Sequence, residues 1–139
     1  MLIDHSHLEK KQIKTAEQVV EVLKSIRLNL EPFEYDKEYL YVIGLTRRNT
    51  IKYVDLAGIG TLAGCLVGVH EVFRIAIHRA AGNIWLAHNH PSGNFNPSEA
   101  DIKLTKKIRA SGKILNIELI DHIIFSDEGF YSFANEGYL

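Results

Sequence analysis

The chain has 139 residues, which fits a single domain with a core large enough to fold without a disulfide or a structural metal. Its 46% hydrophobic and 24% charged residues are typical of a globular protein, and the net charge of -1 does not indicate a nucleic acid or membrane partner. Cys65 is the only cysteine, which excludes cysteine-based zinc sites, and we expect a cytoplasmic protein.

The N-terminal segment is polar, and we expect residues 1–14 to form a flexible arm ahead of a domain at 15–139. Thr15 and Gln18 form a capping-box pattern, and apolar residues then recur at helical spacing. A helix is therefore predicted over residues 15–29.

Strands follow at residues 39–45 and 51–56, where aromatic and β-branched residues are frequent. The uncharged stretch 56–69 is shorter than the roughly 20 residues of a membrane-spanning helix. It also contains four glycines. We therefore predict a loop there and no membrane association.

Helices and strands alternate in the second half of the chain, with Gly82 and Gly112 expected to end the two helices. The predicted elements are a helix at 69–80, a buried strand at 84–87, a helix at 98–111 and strands at 115–125 and 130–133. This order predicts an α/β fold, a single domain with a mixed β-sheet and helices on both faces.

A group of potential metal ligands follows the predicted buried strand. His88 and His90 are two residues apart, so on an extended chain their imidazoles point the same way. A helix that begins at Ser98 places Asp101 in its first turn, and the intervening loop can fold that turn back over the histidines. Two imidazoles and one carboxylate match the three protein ligands of a catalytic zinc, which lowers the pKa of a bound water to roughly 7.

Each part of this group also has an ordinary structural interpretation. Paired histidines beside a proline turn can simply hydrogen-bond the loop, and Ser98 with Asp101 forms a good helix capping box. Their combination with an apolar strand and a defined loop length favours a metal site, and zinc is the predicted cofactor.

The same residues resemble a known family. The motif of the JAMM (MPN/JAB) metalloprotease superfamily is His-x-His, seven residues and Ser-x-x-Asp, and the chain fits it without a gap from His88 to Asp101. The run His-Asn-His-Pro-Ser-Gly at 88–93 resembles the RadC family, a bacterial branch of that superfamily. The resemblance extends from about residue 39 to the C-terminus.

This resemblance implies a cytidine-deaminase-like α/β architecture with zinc on His88, His90 and Asp101. It also implies zinc-dependent hydrolysis of a peptide or isopeptide bond in a protein substrate, with Ser98 stabilising the developing oxyanion. Family members usually carry a glutamate as general base five residues before a Gly-Thr pair, and that position is Asp55 here. The side chain of an aspartate is roughly an ångström shorter, so a metal site that catalyses no reaction remains an alternative.

The alternative function is a DNA-repair-associated or DNA-binding module with a non-catalytic metal site. Basic residues cluster between Lys103 and Lys113, although this pattern also fits a solvated helix face. DNA and a homodimer are both left open as partners.

The remaining histidines are assigned no direct role in binding the zinc. Asp121 and His122 could contact a residue that binds the zinc, or they could form an ordinary pair in the core. Surface positions are expected for His5, His7, His70 and His78.

Overall fold

The structure is a computed structural model that describes residues 1–8, 10–27, 37–60 and 67–139. Positions 28–29 of the predicted first helix, Thr61 of the Gly-Thr pair, Gly64 and Cys65 lie outside these ranges. Within the described ranges, a 3-10 turn at Ser6–Leu8 accompanies three helices, which are α1 (Ala16–Arg27), α2 (Val69–His78) and α3 (Glu99–Leu115). The strands are β1 (Leu2–Ile3), β2 (Tyr39–Leu45), β3 (Ile51–Ile59), β4 (Asn83–Asn89), β5 (Glu118–Ser126) and β6 (Gly129–Ser132).

The strands form one six-stranded sheet in the order β1-β3-β2-β4-β5-β6. Only β4 and β5 run parallel, because α3 crosses between them, and every other neighbouring pair is antiparallel. The mixed α/β sheet predicted from the sequence is confirmed.

Side chains that alternate along the strands build a core on each face of the sheet. One core contains Trp85 and Ala87 with the apolar face of α1, and the other contains Ile84 and Leu86 with α2 and α3. Helices therefore cover both faces, as expected. None of these helices is long and apolar enough to cross a membrane, within the part of the chain that the structure describes.

Two element boundaries differ from the prediction in ways that affect the site. Strand β4 continues through His88 and Asn89, so the first histidine belongs to the strand. Helix α3 continues past Gly112 to Leu115, and Asn116 ends it in the left-handed conformation with φ of 57°. Gly112 serves close packing, since a Cβ there would lie 2.3 Å from the backbone oxygen of Ile117.

The N-terminal segment packs on the domain, which differs from the flexible arm expected for residues 1–14. Leu2 and Ile3 pair with β3, and Leu8 and Ile13 are buried in the α1-side core. The polar character of the segment hid these apolar anchors, because they are too widely spaced to form a periodic pattern. Thr15 and Gln18 form the predicted capping box at the start of α1.

Candidate metal centre

Three potential ligands converge where β4 ends and α3 begins. The Nε2 atom of His88 lies 3.0 Å from Nε2 of His90 and 3.3 Å from Oδ1 of Asp101. Nε2 of His90 lies 3.6 Å from Oδ2 of Asp101. One ligand atom from each residue falls within 4.8 Å of the others. The structure therefore brings together the three residues that the sequence analysis assigned to zinc.

The loop after β4 turns His90 back toward the strand. The backbone N–H of Gly93 donates to the carbonyl of His90 at 3.1 Å, and Gly93 has a φ of 85°, which favours glycine. Nδ1 of His90 lies 2.6 Å from the carbonyl oxygen of Asn94. A carbonyl only accepts, so Nδ1 carries a proton and Nε2 is the atom that faces the other two ligands.

The capping box of α3 orients the carboxylate. Ser98 Oγ accepts a hydrogen bond from the Asp101 N–H at 3.1 Å, and the Ser98 N–H donates to Asp101 Oδ2 at 2.8 Å. The capping and ligand interpretations of these residues are therefore compatible, because the cap holds the carboxylate toward the histidines. Ser98 is exposed at the rim of the site.

The charges of the site reinforce one another. Burial raises the pKa of Asp101, but the imidazoles of His88 and His90, 3.3 and 3.6 Å from its oxygens, outweigh this effect and hold that pKa well below its ordinary value. The hydrogen bond to Asp101 raises the pKa of His90 against the opposing effect of burial. Asp101 is therefore a buried carboxylate anion that needs a cation beside it.

A divalent ion fits this donor set. For metal–ligand bonds of about 2.0–2.1 Å in tetrahedral geometry, ligand atoms lie about 3.3 Å apart. His88 Nε2 lies close to that distance from two other donors, at 3.0 Å from His90 Nε2 and 3.3 Å from Asp101 Oδ1. The second carboxylate oxygen, Oδ2, lies 3.6 Å from His90 Nε2, and one ligand atom of each residue falls within 4.8 Å of the others. Imidazole and carboxylate together suit zinc and several other transition metals, so the donor set defines a class of ion.

His122 and Thr105 form a layer behind His88. Nε2 of His122 lies 2.8 Å from Nδ1 of His88, and Nδ1 of His122 lies 2.6 Å from Thr105 Oγ1. Complete burial lowers the pKa of His122 well below its ordinary value, which keeps its imidazole neutral. Of the two interpretations left open for His122, the structure supports contact with a candidate ligand, His88. The pattern of residues gave no indication of Thr105.

Glu38 is a carboxylate that the sequence analysis missed. Its carbonyl accepts from the Gly60 N–H, so the antiparallel ladder continues one residue beyond β2 and alternation places Glu38 on the same face as Leu40. Leu40 is the register partner of His88. The negative charge of Glu38 contributes to the raised pKa of His90, which places this carboxylate near the site.

Asn89, between the two histidines, fixes the backbone around Glu38. Its side-chain oxygen accepts from the Tyr39 N–H at 2.8 Å, and its amide nitrogen donates to the Lys37 carbonyl at 2.8 Å. Asn89 is almost fully buried. The signal that could have identified Glu38 is its position two residues before Leu40, but this requires the β2–β4 register.

Asp55 lies on the same face of the sheet but farther from the histidines. It pairs with Val42, which pairs with Leu86, so it lies two strand spacings from β4, or about 10 Å across the sheet. The Asp55 Oδ1 atom accepts from the amino group of Met1 at 2.8 Å, and Oδ2 has no hydrogen-bond partner among the described residues. Its role as general base stays a prediction.

The other sequence candidates lie outside the site. His70 and His78 are exposed, as expected, while Nδ1 of His5 lies 3.2 Å from the Ile3 carbonyl and Nε2 of His7 lies 3.4 Å from Ser25 Oγ. The basic residues of α3 are all exposed to solvent, as either interpretation of them requires, and they are Lys103, Lys106, Lys107, Arg109 and Lys113.

Comparison with known proteins agrees with the geometry. The family described as "RadC-like JAB domain" matches residues 13–138. A UPF0758 protein of Chlorobium chlorochromatii is 38% identical over 125 residues, which cover 84% of this chain and 56% of the relative. UPF0758 proteins of Caldanaerobacter subterraneus and Geobacillus kaustophilus are each 40% identical, over 81% and 74% of this chain and 49% and 46% of the relatives. The chain thus spans about half the length of these relatives.

Proposed function

Because the chain belongs to the RadC-like JAB domain family, we propose that it is a zinc-dependent hydrolase that cleaves a peptide or isopeptide bond in a protein substrate. The observation that carries this proposal is the convergence of His88, His90 and Asp101 on one point at the end of a buried strand. These three residues would hold the ion. Zinc, when bound, supplies the Lewis acidity that makes water nucleophilic at neutral pH.

The protein residues have separate tasks in this proposal. His88 is fully buried, and the half-buried His90 lies beside the exposed rim, so substrate would approach from the loop 91–98. Ser98 Oγ uses its acceptor capacity on the Asp101 N–H, and its own proton can be donated to a developing oxyanion at the substrate carbonyl.

A carboxylate must accept the proton of the attacking water. Glu38 and Asp55 are the two candidates, and a general base must come within hydrogen-bonding distance of that water. The strand register favours Glu38, because it places this residue on the same face as Leu40, the register partner of His88. The contact of Asp55 with the Met1 amino group occupies one of its oxygens at the β1 side of the sheet.

The two carboxylates are separated by matched substitutions. Glu38→Gln and Asp55→Asn each remove one negative charge with little change in shape, and neither belongs to the ligand set, so both variants should bind zinc. The general base is the residue whose substitution lowers turnover at least 100-fold, a loss within the 10²–10⁴-fold range of general base catalysis. We expect this loss for Glu38→Gln, and full activity of that variant would exclude Glu38.

The hydrolase proposal is tested with zinc-loaded protein, a library of quenched fluorescent peptides and peptides joined through a lysine ε-amide. Cleavage that disappears in His88→Ala together with stoichiometric zinc would support it. Stoichiometric zinc without cleavage of any amide probe would refute the hydrolase and leave a metal-binding domain. The DNA-binding alternative predicts salt-sensitive affinity for duplex DNA that is lost when the basic residues of α3 are neutralised.

A further inference from the structure

A continuous chain of polar contacts connects one candidate ligand to the backbone of another. It begins at His88 Nδ1, which lies 2.8 Å from His122 Nε2, and continues from His122 Nδ1 to Thr105 Oγ1 at 2.6 Å. It ends where Thr105 Oγ1 donates to the Asp101 carbonyl at 2.7 Å. All four residues are almost fully buried, so bulk water does not compete for these contacts.

The donor and acceptor of each hydrogen bond in this series follow from counting the available hydrogens. The Asp101 carbonyl can only accept, and the single hydroxyl proton of Thr105 is therefore used on it. Thr105 Oγ1 must then accept from His122 Nδ1–H. In the reverse order, the two oxygens 2.7 Å apart would face each other without a hydrogen between them, which is repulsive.

The same count extends to the metal-facing nitrogen. A neutral His122 with its proton on Nδ1 presents a lone pair at Nε2, so His88 Nδ1 donates to it. When the His88 imidazole is neutral, its Nε2 is then left as a lone pair, 3.3 Å from the Asp101 carboxylate. Two such acceptors side by side are stabilised by a cation.

We propose that Thr105 and His122 are positioning residues that fix the tautomer of neutral His88 with its proton on Nδ1, so that Nε2 is available to a divalent cation. This inference rests on the proposed metal site. The ring of Phe133 stacks on His122 with centroids 4.8 Å apart and planes 8° from parallel, which restricts rotation of the His122 ring. The Asn94 carbonyl fixes the same tautomer in His90, so a backbone oxygen orients one histidine and a side chain orients the other.

Removing the Thr105 hydroxyl should change the proton order. In Thr105→Val, His122 Nδ1 has no acceptor, and the tautomer with the proton on Nε2 becomes competitive because it can donate to His88 Nδ1. The proton of His88 then moves to Nε2, where a metal must displace it. Loss of a residue that orients a ligand typically lowers metal affinity 10–100-fold, and we expect a change of that size.

The tautomers are measured directly with ¹⁵N-labelled, metal-free protein at mildly alkaline pH. Long-range ¹H–¹⁵N NMR spectra distinguish protonated from unprotonated imidazole nitrogens. The wild type and the conservative variant Thr105→Ser should show His88 protonated at Nδ1, whereas Thr105→Val should show protonation at Nε2 or exchange between both. Zinc affinity, measured by competition with a chromophoric chelator, should fall only in Thr105→Val.

The outcomes separate this inference from the proposed function. Wild-type protein whose neutral His88 carries its proton on Nε2 instead of Nδ1 would overturn this inference, whatever the variants do. Equal zinc affinity of Thr105→Val and wild type, with an unchanged His88 tautomer, would also overturn it. Wild-type protein that binds no zinc would instead refute the metal site. It would also refute the role in metal binding proposed for Thr105 and His122, even where the NMR spectra show His88 protonated at Nδ1.

Discussion

Replacing Asp101 by asparagine isolates the contribution of the one charged ligand. The substitution is nearly isosteric and keeps a side-chain oxygen that can accept from the Ser98 N–H in the capping box. It removes the negative charge that faces His88 and His90 at 3.3 and 3.6 Å. Because the carboxylate is almost fully buried, solvent does not screen this loss.

The size of the effect can be worked out for the stabilisation of the fold by zinc. Free zinc at a thousand times its dissociation constant stabilises a native protein by about 4.1 kcal/mol, or about 12 °C in Tm for a chain of this size. Loss of a residue that only orients a metal ligand lowers metal affinity by up to roughly 100-fold, or about 2.7 kcal/mol. Loss of a ligand itself should lower the affinity by at least this amount. The same zinc concentration should then raise the Tm of Asp101→Asn by at most about 4 °C.

The assay is thermal unfolding with and without zinc, compared within each variant so that differences in metal-free stability cancel. Glu99→Gln is the matched control, since it removes the same charge from an exposed position in the same helix turn. Glu99→Gln should keep the full rise in Tm. If Asp101→Asn keeps it as well, Asp101 is not a ligand, and the argument from the three converging groups is wrong.

Three further predictions concern pH and packing. The hydrogen bond to Asp101 raises the pKa of His90 above 6.5, so protons should compete with zinc at a higher pH than they do at an ordinary histidine. Calorimetric titrations should show the zinc affinity falling as the pH drops through that raised pKa. A zinc affinity that stays constant over this pH range would contradict the prediction. In the metal-free protein the same pair stabilises the fold below pH 6.5 and ceases to do so as the pH rises through the raised pKa, a dependence that His90→Gln should lack. Gly112→Ala should destabilise the protein in urea unfolding, because overpacking against the Ile117 carbonyl costs about 1–3 kcal/mol and outweighs the gain in helix propensity of about 1 kcal/mol. The control variant Ser111→Ala, at the neighbouring position, should not destabilise it. A stabilised Gly112→Ala would contradict the prediction and show that the end of α3 moves to make room for the added methyl group.

Much of the fold could be predicted from local sequence patterns. The apolar periods of α1 and α2 predicted their starts to within one residue, since these helices have a buried and an exposed face. The aromatic and β-branched residues of β2 predicted that strand, whose residues are all buried. Boundaries were less accurate where a polar residue is buried by its tertiary neighbours. His88 and Asn89 were placed after β4 because a strand that ends in a ligand and a buried amide looks polar.

The sequence by itself identified the three candidate metal ligands. His88 and His90 share a face because of strand periodicity, and Ser98 fixes Asp101 through a cap that involves only four consecutive residues. These are short-range relations that the spacing of the residues already contains. The tertiary structure supplied the distances, but it did not change which residues meet.

Only the tertiary structure decided what surrounds those ligands. Glu38 reaches the site through the register of β2 against β4, and His122 and Thr105 meet behind His88 because β5 lies parallel to β4 under α3. These contacts join residues far apart in the chain, and no spacing rule predicts which strands become neighbours. Packing of the sheet, rather than local pattern, therefore selects the groups that orient and assist the metal ligands.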